Sequence, residues 1–384
     1  MNNEKLKEFN PLLFLSSLGA GGISVAFFAF LNYVIGSGSG MVNVAQIHNG
    51  VIFSAHPLFL GLMEFGMAVF ALIHIVLTIQ LAIKIIPWLK TQNFRDMLNN
   101  PLSNSALVTP FISVVMTMNV FLSSVRYFIP SVANNLQTMM MPGLVFWIFI
   151  WMALMFTEIK LLKISFVHGF DVNKIHFGWL LHPFALAMLT VTGSGIAALA
   201  KDATIAHTAF FMLLISGTMG LFLLLVKTIS IFKSHFAANG LPDKQFLPSF
   251  LIVIPNITLF AITFFRIGHY LEHHHGAHLH NYFMIVMITA LAFETWYMMF
   301  GLALLRDYFK KYFFDEFNIS QWGLICPFVA YSVLSSFVYS VFLKNIFFYF
   351  LSLTALFITV ILFFMLLYKQ LICKKNKKIN IKCE

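Results

Sequence analysis

Residues 346–368 read IFFYFLSLTALFITVILFFMLLY, 23 positions without a charged side chain. As a helix this run rises ~35 Å at ~1.5 Å per residue, enough to cross a ~30 Å hydrocarbon core. It is the centre of a longer apolar stretch, 345–372, and nine others of spanning length precede it. They run near 11–36, 57–86, 103–129, 138–164, 177–200, 204–232, 246–271, 281–305 and 321–343. The chain of 384 residues is 60% hydrophobic and 10% charged, with 46 Phe and a mean hydropathy of +0.86. An ordinary soluble domain carries about 25% charged residues, so soluble-enzyme and fibrous readings are excluded. The fold class expected is an all-α membrane protein of ten transmembrane helices.

The basic residues give that bundle an orientation. Assigned to the nearer span end, 20 of the 24 Lys and Arg fall at the N-terminus, after even-numbered spans and in the tail. The other side receives Arg126, Lys201, Arg266 and Lys344. Cytoplasmic loops hold the excess of Lys and Arg in membrane proteins, so both termini are expected in the cytoplasm of a multi-pass protein of the inner membrane. The division is a cytoplasmic N-terminus over 1–10, a ten-span domain over 11–372 and a basic tail over 373–384. The tail charge suits an anionic lipid leaflet, and nucleic acid is set aside as a partner. Cys326, Cys373 and Cys383 supply no disulfide framework and no zinc-ligand spacing.

Proline marks an internal repeat. Pro110, Pro183, Pro255 and Pro327 lie in spans 3, 5, 7 and 9, separated by 73, 72 and 72 residues, one helical hairpin each time. The expected unit is a hairpin repeated five times; in span 1 a glycine run, Gly19, Gly21 and Gly22, stands in for the proline as a helix-weakening element. Odd spans carry hydroxyl and amide residues, among them Ser24, Thr117, Asn119, Thr192, Thr258 and Ser332, while even spans are greasier. Two readings stay open: an inner ring of odd helices around a water-accessible pore with even helices outside, or small residues that merely let helices pack closely.

Ionisable groups within spans are costly and tend to face a pore or a partner. Glu64, His74 and Glu294 are the deepest by position. Glu294 reads either as a proton-coupling carboxylate or as a neutral carboxyl bonded to a neighbouring helix; Arg266 either draws anions into the mouth or pairs with Glu272. Six of fourteen histidines, His269, His273, His274, His275, His278 and His280, gather on the outward side with His48, His56 and His207. Neutral imidazoles suit a divalent transition metal, and two on facing helices, His56 with His207, suit a haem. A metal- or haem-binding redox membrane protein is therefore the alternative function; the other reading of these histidines is a solvated polar loop.

Over roughly residues 9–372 the pattern resembles the tellurite-resistance and dicarboxylate transporter family, which includes the TehA proteins and the plant slow anion channels. The residues that carry the resemblance are Leu18 to Phe27 with its glycines and Ser24, Asn100-Pro101 with Pro110-Phe111-Ile112, His182-Pro183-Phe184-Ala185, Phe250 to Asn256, and Trp322-Gly323-Leu324-Ile325-Cys326-Pro327. The resemblance implies a channel or transporter for small inorganic or organic anions, not an enzyme. It also implies five proline-kinked inner helices surrounded by five outer ones, a homotrimer with one pore per subunit, and tellurite resistance or dicarboxylate transport among its activities. On that basis Cys326, Phe328, Pro110, Pro183, Pro255, Pro327, Ser24, Thr117, Thr192 and Thr258 are the candidate pore-lining residues. The phenylalanine that plugs the pore in relatives aligns with Cys326; Phe328 is two residues on, roughly 200° around the helix, and cannot point the same way.

Overall fold

The computed structural model describes residues 9–36, 40–49, 56–238, 240–375 and 382–383. Lys5, Lys7, Lys377 and Lys378 lie outside them. Ten helices long and apolar enough to span a membrane are present: α1 (Pro11–Ile35), α2 (Pro57–Trp88), α3 (Asn104–Phe128), α4 (Leu136–Val167), α5 (Phe177–Leu199), α6 (Ala203–Ala237), α7 (Lys244–His275), α8 (His280–Leu304), α9 (Ile319–Val341) and α10 (Ile346–Cys373). The chain is a multi-pass membrane protein. Even spans α4 and α6, at 32 and 35 residues, outrun the apolar stretches 138–164 and 204–232, so charged residues near the ends of those stretches fall well inside a helix.

Every odd span begins as a 3₁₀ turn and then becomes α-helical. The 3₁₀ segments are Pro11–Leu13, Asn104–Val108, Phe177–Leu180, Lys244–Ile252 and Ile319–Leu324. The repeated prolines sit at this change of winding: Pro110 is the second residue of its α segment, and Pro183, Pro255 and Pro327 are each the third. Proline lacks the N–H that a first α-helical turn leaves unpaired in any case, and its fixed φ suits that position. The repeat thus marks helix starts, where a kink inside each span was expected. In α1 the same change falls at Leu13 and Phe14 without a proline, and Ser16 donates back to the Leu13 carbonyl at 2.7 Å. The α1 glycines do not interrupt the helix, which is α-helical over Phe14–Ala29. They admit neighbours instead: Gly19 lies against Ile325, Gly22 against Val329, and Gly21 against Met116 and His74.

Burial separates the two classes of span. Within the most apolar part of each helix, 61–100% of the residues of odd spans are buried against 28–39% for even spans, and α5 is buried throughout. Each of α1, α5, α7 and α9 packs on the even span that follows it, and the odd spans contact one another in the cyclic order α1, α3, α5, α7, α9 and back to α1. Hydroxyls and amides join the steps of this cycle. Ser24 and Ser124 pair at 2.8 Å and Ser113 donates to Ser17 at 3.0 Å between α1 and α3. Asn119 of α3 donates to Thr192 of α5 at 2.8 Å, and Arg266 of α7 to the Val191 carbonyl at 2.7 Å. Between α1, α2 and α3, His74 bonds the Ser17 carbonyl at 2.8 Å and Thr117 at 2.9 Å. Outside the spans, β1 (Glu316–Phe317) pairs in parallel with β2 (Lys382–Cys383), so the end of the basic tail is held to the loop between α8 and α9.

Gly21 is the tightest of the α1 glycines: a Cβ there would meet Met116 Cγ at 2.5 Å and His74 Nδ1 at 2.7 Å, whereas nothing lies within 4 Å of one at Gly61. Overpacking of a close interface costs ~1–3 kcal/mol. Gly21→Ala is expected to lower stability by about that much, and Gly61→Ala to leave it equal or raise it slightly, as read by thermal unfolding in detergent.

Candidate functional site

Two cavities enter the bundle from opposite ends. The larger, about 1250 Å³, opens on the basic face, where the N-termini of the odd spans lie. All five starts contribute to its wall: Leu12 of α1, Ser105 of α3, Gly178 of α5, Ser249 of α7 and Ser320 of α9. Helix N-termini carry a partial positive charge, so five of them around one cavity favour an anion there. Lys174 and Asp243 also line it, a side chain of each sign. The second cavity, about 490 Å³, opens on the opposite face, and Arg266 is the Lys or Arg in its wall. Phe184 and Cys326 are the two residues that line both cavities. Both are buried, so an aromatic ring from α5 and a thiol from α9 form the wall where the cavities approach.

Of the candidate pore residues, Cys326, Thr192, Thr258 and Pro255 line the opposite-face cavity. Pro110, Pro183, Pro327 and Phe328 line neither cavity. Ser24 faces the Met67 carbonyl and Ser124, and Thr117 faces His74. Their hydroxyls join helices, as do those of Ser332 and Ser336 toward Ser352 of α10. None of these four residues, Ser24, Thr117, Ser332 and Ser336, lines either cavity.

The intramembrane charges have specific partners. Glu64 accepts from Tyr127 at 2.6 Å and contacts His48 at 2.9 Å. Glu294 accepts from Thr258, whose side chain also lines the opposite-face cavity. Arg266 is not paired with Glu272, since its guanidinium turns to the Val191 carbonyl. Glu272 instead contacts His269 at 3.1 Å and accepts from the Leu279 amide at 3.3 Å. A further group, Glu158 of α4, His182 of α5 and Lys227 of α6, is buried among the helices. The sequence pattern conceals it because Lys227 counts as a span end until α6 is seen to continue to Ala237.

The histidines divide. His269 and His273 line the opposite-face cavity, with ring centroids 6.1 Å apart. His274 and His275 turn to His207, at 5.6 and 5.9 Å between ring centroids, with the Tyr270 hydroxyl bonded to His207 and His275. His278 is exposed, and His280 lies against Phe342. His56 caps α2 and accepts from the Leu58 amide, so it and His207 face different partners. Among the described residues no group of three or more His, Cys, Asp or Glu converges on a point that could hold a metal ion.

A family profile described as voltage-dependent anion channel matches residues 8–371. Comparison with curated proteins gives no match.

At the rim of the basic-face cavity, His176 stacks on Phe246 at 3.9 Å and accepts from the Gly178 amide at 3.1 Å. Burial, then the neighbouring His235, pushes its pKa down from 6.5 to about 4. As pH falls between those values the unfolded chain binds the proton and the folded one does not, so stability drops with acidification. His176→Gln should be less destabilised than the parent by acidification through that window, as read by unfolding temperature in parallel pH series.

Proposed function

Because the chain belongs to the voltage-dependent anion channel family, we propose that it carries a small anion across the cytoplasmic membrane along the axis enclosed by α1, α3, α5, α7 and α9. The observation that carries this reading is the meeting of five helix N-termini around the basic-face cavity. They provide partial positive charge without a fixed cation at every point, so an anion is attracted but not held in a deep well, which conduction requires. Arg266 adds a cationic side chain to the opposite-face cavity, while Lys174 and Asp243 oppose each other in sign at the basic-face cavity, where the helix ends supply the attraction. No covalent step is needed for this activity.

The barrier lies at Phe184 and Cys326. In relatives the resemblance places a plugging phenylalanine on the ninth helix; here that position is Cys326, and the aromatic beside it comes from the start of α5. A ring and a thiol offer an anion no donor comparable to water, so passage requires their displacement. The basic face is the cytoplasmic one, on the strength of the 20 to 4 division of Lys and Arg. A homotrimer with one pore per subunit follows from the resemblance. The exposed aromatic residues of the even spans, such as Phe149 and Phe156, are available to lipid or to neighbouring subunits.

In liposomes, Phe184→Ala is expected to raise anion flux and Cys326→Phe to lower it, each by about tenfold, the effect of ~1.4 kcal/mol on a barrier. Equal flux in parent and both variants would remove Phe184 and Cys326 from the pathway. A reporter fused after Glu384 should be cytoplasmic and one inserted at Gly276 exterior; a cytoplasmic signal at Gly276 would reverse or break the ten-span topology.

A further inference from the structure

The buried group made by α3, α4, α5 and α6 is not used by the anion pathway described above. His182 Nδ1 lies 2.7 Å from Glu158 Oε2, and His182 Nε2 lies 3.3 Å from Asn104 Oδ1. All three residues are at most 3% exposed. The charged groups acting on His182 are Glu158 of α4 and Lys227 of α6, while α3 presents the neutral amide of Asn104. Lys227 itself rests over the Trp179 ring at 4.2 Å.

The hydrogen bonds set the proton count. With the Asn104 oxygen accepting, Nε2 carries a hydrogen. A carboxylate facing a bare Nδ1 would bring two lone pairs together, so a proton must also lie between His182 and Glu158. Whether that proton is written on the ring or on the carboxyl, the pair holds one more proton than an ionised carboxylate beside a neutral ring. Loss of the Nε2 proton leaves a neutral ring that donates from Nδ1 to Glu158 and needs a donor at Nε2. Asn104 Nδ2 is buried without a partner and supplies it after rotation of the amide. Glu158 Oε1 is likewise buried without a partner. Glu158, His182 and Asn104 line neither cavity themselves, but Ser103, Ser105 and Leu181, adjacent in sequence to Asn104 and His182, line the basic-face cavity, and Phe184 lies on the same helix two residues beyond His182.

We infer that Glu158, His182 and Asn104 form a proton-binding site beside the basic-face cavity that couples proton movement to passage of the anion at Phe184. The coupling rests on the anion pathway proposed above; the proton site does not. Glu158→Gln keeps the shape of the side chain and removes the titrating carboxyl. His182→Gln removes the ring.

Two measurements separate the parts. Infrared difference spectra of the purified protein across a pH titration should show a carboxyl or imidazole band in the parent that is absent from both Glu158→Gln and His182→Gln. The same spectra in both variants as in the parent would overturn the site, whether or not any anion moves. In liposomes with a lumenal pH dye, an imposed anion gradient should shift lumenal pH with the parent, and Glu158→Gln should reduce that shift at least tenfold while retaining anion flux. Parent flux without a pH shift, or an unchanged shift in a folded Glu158→Gln protein, would overturn the coupling. Absence of anion flux in the parent would overturn the coupling together with the pathway, leaving the infrared result to decide the proton site alone.

Discussion

Inside a bilayer, burying one apolar helix face against another removes little water, because lipid tails are as apolar as leucine. Directional contacts between helices therefore carry the arrangement: a serine, threonine or asparagine that must find a partner can do so only at particular registers. Ser17 with Ser113, Ser24 with Ser124, Asn119 with Thr192 and Arg266 with the Val191 carbonyl are such contacts. Each is worth ~0.6 kcal/mol on average in membrane helices, so none decides the fold alone. Distributed over three steps of the cycle, they leave few alternative rotations for α1, α3, α5 and α7.

The same requirement shapes the pathway. Hydroxyls committed to neighbouring helices are not available to an anion, and the electrostatic attraction falls to the backbone. The five odd spans begin at the same face because each hairpin returns the chain to it, and the 3₁₀ start before each α segment leaves those ends at the wall of the basic-face cavity. Proline serves here as a helix-start residue, which explains its spacing of one hairpin without invoking a bend at midspan. Glycine in α1 has a different part, letting Ile325 and Val329 of α9 come close and so closing the cycle.

Glu158, His182 and Lys227 show how an even span can hold charge without exposing it to lipid. Glu158 and Lys227 lie on helices whose other faces carry exposed phenylalanine and leucine, such as Phe156 and Leu225, yet both turn inward to α5. Their long helices bring ionisable groups several turns from the ends. That placement brings Glu158 of α4 to His182 of α5, two residues before Phe184.

Membrane residence, the number of spans and the contrast between odd and even spans were legible in the sequence, because each depends on local composition and on the fixed rise of a helix. That Cys326 stands where relatives have a plugging phenylalanine is what the resemblance implies. The tertiary structure alone brought Phe184 beside Cys326, set Thr117 and Ser24 between helices, and divided the histidines between two places. It also joined residues 24 and 78 positions apart into the group around His182. Helical periodicity gives the spacing of residues along one span but not the rotation of that span against its neighbours, and that rotation decides whether a polar side chain meets a cavity, a partner or another helix.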